Sequence, residues 1–193
     1  MRRCHDLLVR LDRLVRAWGA TEAEQALEYP CDVLMPEPDE AVWRAVDVDA
    51  PPAVVFRWLC QLRAAPYSYD WIDNFGRRSP RRLIPGLEEL AVGQRVMSIF
   101  ELTAFEPDRH ITLRQVRGLR LFDCVGTYLV VPKGEGSRLV VKLLLGQPRW
   151  GPVGWLVHRL LPAGDLVMMR KQLLTLKRLA ERTPVDECSS PSH

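Results

Sequence analysis

The chain has 193 residues, 47% hydrophobic and 26% charged, with a net charge of +3. That is one ordinary globular domain rather than two, able to bury about 70% of its unfolded surface and still leave room for an internal cavity. The charge is uneven: residues 19–50 carry nine acids and one base, residues 149–182 seven bases and two acids. This reads as solvated faces or as two regions that pack together, and nowhere do aromatics interleave with bases as in a nucleic-acid module.

From the N-terminus, Leu7, Leu8, Leu11, Leu14, Val15 and Trp18 recur at helical spacing, so residues 5–18 read as an amphipathic helix ending near Gly19. Charges interrupt it too often for a signal peptide. An acidic stretch with Pro30, Pro36 and Pro38 follows and reads as an extended arm over residues 20–40. Residues 42–49 are rich in β-branched residues and read as a strand, stopped by Pro51-Pro52. Proline suits a first helical turn, and Val55, Trp58, Leu59 and Leu62 then mark the apolar face of a helix that Pro66 ends. A short helix or turn is expected over Tyr69–Phe75, then a basic loop.

From Gly93 the period changes to two. Strands are expected at about 94–105, 110–117, 120–132 and 137–146, separated by turns at Pro107-Asp108, Gly118 and 133–136. Along the third of these, Cys124, Gly126 and Tyr128 share one face, and Gly126 suggests a bulge or bend. Residues 150–163 carry two Trp and read as a lid or connecting helix, or as a membrane-touching segment with Trp155 at the lipid interface. Residues 164–182 place Leu166, Met169, Leu173, Leu176 and Leu179 on one stripe of a last helix, with Asp165 as its N-cap or first-turn acid. Residues 183–193 read as a disordered tail.

The five cysteines are odd in number and lack paired spacing, which argues against a disulfide framework or zinc cluster and for a reducing cytoplasm. The four histidines are scattered, and neither a cofactor motif nor a run of about 18 apolar residues is present.

The order strand, short helices, antiparallel strands, long helix predicts an α+β helix-grip fold, a curved antiparallel sheet around a C-terminal helix with an apolar cavity between them. The domain is expected over 41–182, preceded by the helix and arm of 1–40. This order, with Trp18-Gly19-Ala20-Thr21-Glu22, Val48-Asp49-Ala50-Pro51-Pro52, Trp58-Leu59-Cys60-Gln61-Leu62, Tyr67-Ser68-Tyr69-Asp70-Trp71, Leu90-Ala91-Val92-Gly93 and the helix at 168–181, resembles the START-like or SRPBCC superfamily. That superfamily includes lipid-transfer domains and polyketide cyclase/dehydratases. The resemblance implies a fold and a cavity but no shared catalytic residue, and fold does not fix function.

The aromatic run Tyr67, Tyr69 and Trp71 is the first candidate for contact with a ligand. Arg114, Lys142 and Glu101 alternate with apolar strand residues and would be anchors or proton carriers on a concave face, or solvated groups on a convex one. Tyr128, Trp155, Met168 and Met169 complete the set, with one of the two Met residues expected to face the cavity. The expected function is non-catalytic binding of a small lipid-like or polyketide-like molecule, without metal or cofactor and with contact to a membrane surface as a further possibility. The alternative is a cyclase/dehydratase-type enzyme in which Tyr67 or Tyr69 and Glu101 move protons.

Overall fold

The computed structural model describes residues 12–69, 78–116, 123–148 and 151–184. Seven strands form one sheet: β1 (Ala17–Trp18), β2 (Glu40–Val48), β3 (Arg95–Val96), β4 (Phe100–Glu106), β5 (His110–Gln115), β6 (Cys124–Lys133) and β7 (Gly136–Leu145). Their order is β1-β2-β7-β6-β5-β4-β3, antiparallel except for the parallel pair β1–β2. Short helices α1 (Glu22–Gln25) and α2 (Pro30–Leu34) precede β2. Helix α3 (Pro52–Cys60), extended by a 3-10 turn over Gln61–Arg63, follows it, and α4 (Gly151–Ala180) lies across the sheet.

The register follows from period-2 alternation. In β2, Val42, Val46 and Val48 join the main core beneath the helices, while Ala45 belongs to a second apolar cluster on the sheet's outer face. In β7, Leu139, Val141, Leu143 and Leu145 face the main core and Val140 and Leu144 face out. The turn between β6 and β7 is two residues, Gly134-Glu135, with Gly134 at φ +59°, the left-handed backbone that a glycine adopts without a Cβ clash. Gly126 is not a bulge: β5, β6 and β7 pair continuously through it. Its role is space, because a Cβ there would stand 2.4 Å from Leu143 Cδ2. The irregularity lies in β4, between Leu102 and Ala104.

Helix α3 buries Val55, Trp58, Leu59 and Leu62, the face its spacing predicts. Pro at its first turn costs no hydrogen bond, since that N–H would have no partner within the helix. Trp58 Nε1 donates to Thr183 Oγ1 at 2.9 Å, tying α3 to the segment after α4.

Four elements differ from expectation. The strand expected at about 94–105 is two, β3 and β4, with Met97 and Ser98 between them at positive φ. The N-terminal helix ends by residue 16 and gives way to β1, because Ala17 and Trp18 find backbone partners along Trp43 and Arg44. The stretch expected to be an irregular arm contains α1 and α2 and packs on the outer face: Tyr29, Cys31, Leu34 and Met35 cover Ala45, Val125, Val140 and Leu144. Thr21 and Glu24 form a reciprocal capping box at α1. Finally, the segment 151–163 and the last helix are one helix of 30 residues, about 45 Å long. Pro162 lies inside it rather than ending it. The acidic and basic regions do meet, since Lys177 Nζ donates to the Asp47 carbonyl at 2.6 Å and the Asp49 N–H donates to Glu181 Oε1 at 3.0 Å.

Candidate ligand cavity

Where the sheet curves away from α4, a cavity of about 550 Å³ remains. Its floor is the concave face of the strands: Val42 from β2, Leu143 and Leu145 from β7, Cys124, Gly126 and Tyr128 from β6, and Leu113 from β5. Its roof is α4, through Leu161, Gly164, Asp165, Met168, Met169 and Gln172. Pro66, Ser68 and residues 97–100 close one side. Ser98 and Ile99 are lining yet exposed, as is Gly164, so the mouth opens between the β3–β4 turn and α4.

Four lining side chains carry the polar chemistry around α4. Asp165 Oδ2 lies 2.9 Å from Arg44 Nη2, with the Arg44 side chain fully enclosed and 17% of the Asp165 side chain exposed. Arg44 extends from the concave face of β2 beneath α4. Its Nη2 also donates to the Pro162 carbonyl (3.1 Å) and its Nη1 to the carbonyls of Trp43 (2.8 Å) and Arg16 (3.2 Å). Burial raises the Asp165 carboxyl to about 6, with Arg44 only partly opposing the shift. Burial likewise lowers the Arg44 guanidinium from its ordinary value while Asp165 opposes it. On both partners desolvation outweighs mutual attraction, as expected for an ion pair in a dry interior.

The other polar cluster is centred on Gln172, which is 3% exposed. Its Oε1 accepts from the Tyr128 hydroxyl at 2.7 Å, and its Nε2 donates to the Pro66 carbonyl at 2.6 Å and to Met97 Sδ at 3.2 Å. Tyr128 therefore stands on the cavity floor with its proton committed, and burial holds its pKa well above the ordinary phenol value. Ser68 Oγ donates to the Met168 carbonyl at 3.1 Å. Burial pushes the Cys124 thiol up to about 12, which leaves it a neutral wall atom rather than a nucleophile.

Of the residues expected to line the cavity, Tyr128, Met168 and Met169 do so. Both Met residues face it where one was expected, because adjacent helical positions are only about 100° apart and the roof is wide. Tyr67 turns away: at φ +55° it points into the core and meets Trp58 edge-to-face at 6.0 Å, while its neighbours Pro66 and Ser68 line the cavity. Tyr69 is partly buried and outside the lining, and Trp71 lies outside the described residues.

Glu101, Arg114 and Lys142 sit on the opposite face of the sheet. The strand period dictates it, since their neighbours Phe100, Leu113 and Leu143 are the cavity residues. Glu101 pairs across β4–β5 with Arg114, which is exposed. Lys142 lies beneath the N-terminal segment, 2.7 Å from Asp32 Oδ1 and above the rings of Tyr29 (5.0 Å) and Trp43 (5.5 Å). Lys142→Met should cost about 1–2 kcal/mol in urea unfolding yet leave ligand affinity unchanged, because it touches the outer cluster alone. Trp155 is 58% exposed on the first half of α4, beside Leu156 and away from the cavity lining.

Sequence reasoning missed Arg44, Asp165 and Gln172. For the first two a signal existed. Arg44 is the one base of the acidic stretch 19–50, at a position in phase with inward-facing Val42 and Val46, and Asp165 is one of two acids in the basic stretch 149–182. Among the described residues no cluster of His, Cys, Asp and Glu could hold a metal ion, and no helix is long and apolar enough to cross a membrane.

Several solved structures and one family model are similar to this chain. A structure from Chromobacterium violaceum superposes with a TM-score of 0.47 at 16% identity, covering 74% of this chain and 98% of its own. DynU16, from the dynemicin biosynthetic locus, gives a TM-score of 0.48 at 21% identity over 75% of this chain and 48% of its own. Ara h 8.0201 gives 0.47 at 9% identity over 75% and 99%. A search of curated proteins found no match. The family model described as polyketide cyclase / dehydrase and lipid transport matches residues 40–181. With that match spanning strands β2 to β7 and both of the longer helices, the chain belongs to the polyketide cyclase/dehydrase and lipid-transport family of the SRPBCC superfamily.

Proposed function

We propose that this protein binds a small hydrophobic molecule in the cavity between the sheet and α4 and holds it without chemical change. The observation that carries the proposal is the cavity itself: about 550 Å³, with a mostly apolar wall led by Leu and Met side chains. That is within the range of small-molecule sites. Each buried CH₂ of a ligand would contribute about 0.8 kcal/mol, so the walls alone supply useful affinity. The two Met residues on the roof suit a ligand of irregular outline.

Native mass spectrometry of the purified protein, with organic extraction of what it carries, tests this reading. The expected result is a bound apolar molecule in the wild type and its loss in Gly126→Leu, whose side chain must enter the cavity or drive Leu143 into it. A wild type that takes up no apolar molecule at any concentration would remove the proposal.

A second reading, a cyclase/dehydratase-type enzyme, is supported by one group. The version built on Tyr67 or Tyr69 with Glu101 lacks a convergent site, because Glu101 lies across the sheet from the cavity. Asp165 is the carboxyl that faces the cavity, and its pKa of about 6 suits proton transfer near neutral pH.

A further inference from the structure

The polar atoms that α4 and its neighbours present to the cavity are all of one kind. Tyr128 gives its proton to Gln172, Ser68 gives its own to the Met168 carbonyl, and Gln172 spends its amide hydrogens on Pro66 and Met97. Asp165 is an acceptor once ionised. Its Oδ2 is enclosed against Arg44, and the side chain of this lining residue keeps 17% exposure. Gln115 has a partner of its own, and Ser98 stands at the open mouth. Among the described residues no Lys, Arg or His lines the cavity, and the Arg44 side chain is fully enclosed beside Asp165. Among the described residues, the wall around Asp165 and Tyr128 thus offers lone pairs and no exposed cation.

We propose that the cavity selects a neutral apolar molecule bearing an alcohol or phenol O–H, donated to the Asp165 carboxylate with the Tyr128 oxygen as a second acceptor, and rejects carboxylates such as fatty-acid anions. This rests on the binding reading above and gives it a ligand class. A hydroxyl that donates to a carboxylate in a dry wall gains a charge-assisted hydrogen bond. An ether of the same shape gains none and strips Asp165 of what solvent it had. An anion meets the Asp165 charge, whose counter-charge, Arg44, is enclosed and already paired.

The groups facing Asp165 are Arg44 on β2, itself near Glu40, and Tyr128 and Cys124 on β6. Arg44 stays charged and Tyr128 and Cys124 stay neutral through pH 5–8, so Asp165 is the member of this group that changes state there. Protonated, it becomes a donor and its preference for a hydroxyl over an ether weakens.

The test is calorimetric titration of the full chain with 2-naphthol, 2-methoxynaphthalene and 2-naphthoate at pH 8 and pH 5. At pH 8 naphthol should bind about 10- to 100-fold more tightly than its methyl ether, the usual range for a hydrogen bond to a charged group, with naphthoate weakest. At pH 5 the naphthol preference should shrink to a few-fold. Asp165→Asn should produce the same shrinkage at pH 8, and Tyr128→Phe a smaller one. The wild-type series needs no variant to fold. Equal affinity for naphthol and its ether at pH 8, or naphthoate binding tightest, overturns the ligand class while leaving the cavity as a binding site. If none of the three binds, the binding reading itself falls and the ligand class with it.

Discussion

Arg44→Met should destabilise the protein by about 3–5 kcal/mol at pH 8, read from urea unfolding, the cost of breaking a buried ion pair from one side. The substitution leaves Asp165 with its carboxylate enclosed and its counter-charge gone. It also strips the carbonyls of Arg16, Trp43 and Pro162 of a donor. The carboxyl should respond by rising further above 6, since Arg44 opposes the effect of burial on it. The double variant Arg44→Met/Asp165→Leu should recover most of the loss, because replacing both charges with apolar groups removes the desolvation penalty along with the attraction. A single variant within 1 kcal/mol of wild type, or a double variant no better than the single, would show that the pair does not hold α4 to β2 in this way.

The same pair should make stability depend on pH in an unusual direction. The native Asp165 carboxyl titrates near 6 against an ordinary 3.8, so the folded chain holds that proton more tightly than the unfolded one. Its contribution to stability is therefore complete below about pH 3.8 and is lost as pH rises through about 6. At 1.36 kcal/mol per pH unit, the loss is about 3 kcal/mol. Other carboxyls act oppositely. Glu24, Asp47 and Glu181 are held below their ordinary values by Arg138, Lys133 and the Asp49 N–H with Lys177, and lose stabilisation as pH falls. A comparison with Asp165→Asn cancels those shared contributions. The stability of wild type minus that of the variant should fall by about 2 kcal/mol between pH 4 and pH 7, and a flat difference would refute a perturbed Asp165.

The sheet and α3 were legible in the sequence because they obey one period throughout. The β6 and β7 strands alternate without interruption, and Val55, Trp58, Leu59 and Leu62 repeat on a single helical face. Which strand face lines the cavity was not legible, since both faces of β6 and β7 are buried, one under α4 and one under the N-terminal segment. In β7, polar residues mark only part of the outer face, at Arg138 and Lys142 alongside Val140 and Leu144, so the usual sign of a wet face is weak. Lys142 looked like a cavity anchor for the same reason. It is buried, but on the far side, where Tyr29, Trp43 and Asp32 hold it.

Asp165 was misplaced because of Pro162 and Gly164, which ordinarily mark a helix boundary. A boundary there makes Asp165 a surface cap. The helix continues instead, its Leu161, Met168, Met169 and Gln172 lining the cavity on either side of the break signals and Arg44 bonding the Pro162 carbonyl. Tertiary contacts thus overrode a local signal, and the residue read as a cap became the charged group on the cavity wall.

Both outer strands of the sheet, β1 and β3, are two residues long. Past the end of β1, Gly19 lies against the Ala45 carbonyl and Lys177 occupies that of Asp47. A sheet finished this way offers another polypeptide almost no ladder to extend, which is how open sheets avoid fibrillar growth. Self-association on heating or crowding then falls to side chains rather than backbone. The surface most prone to it is the solvent-facing Trp155, Leu156 and Leu160 of α4.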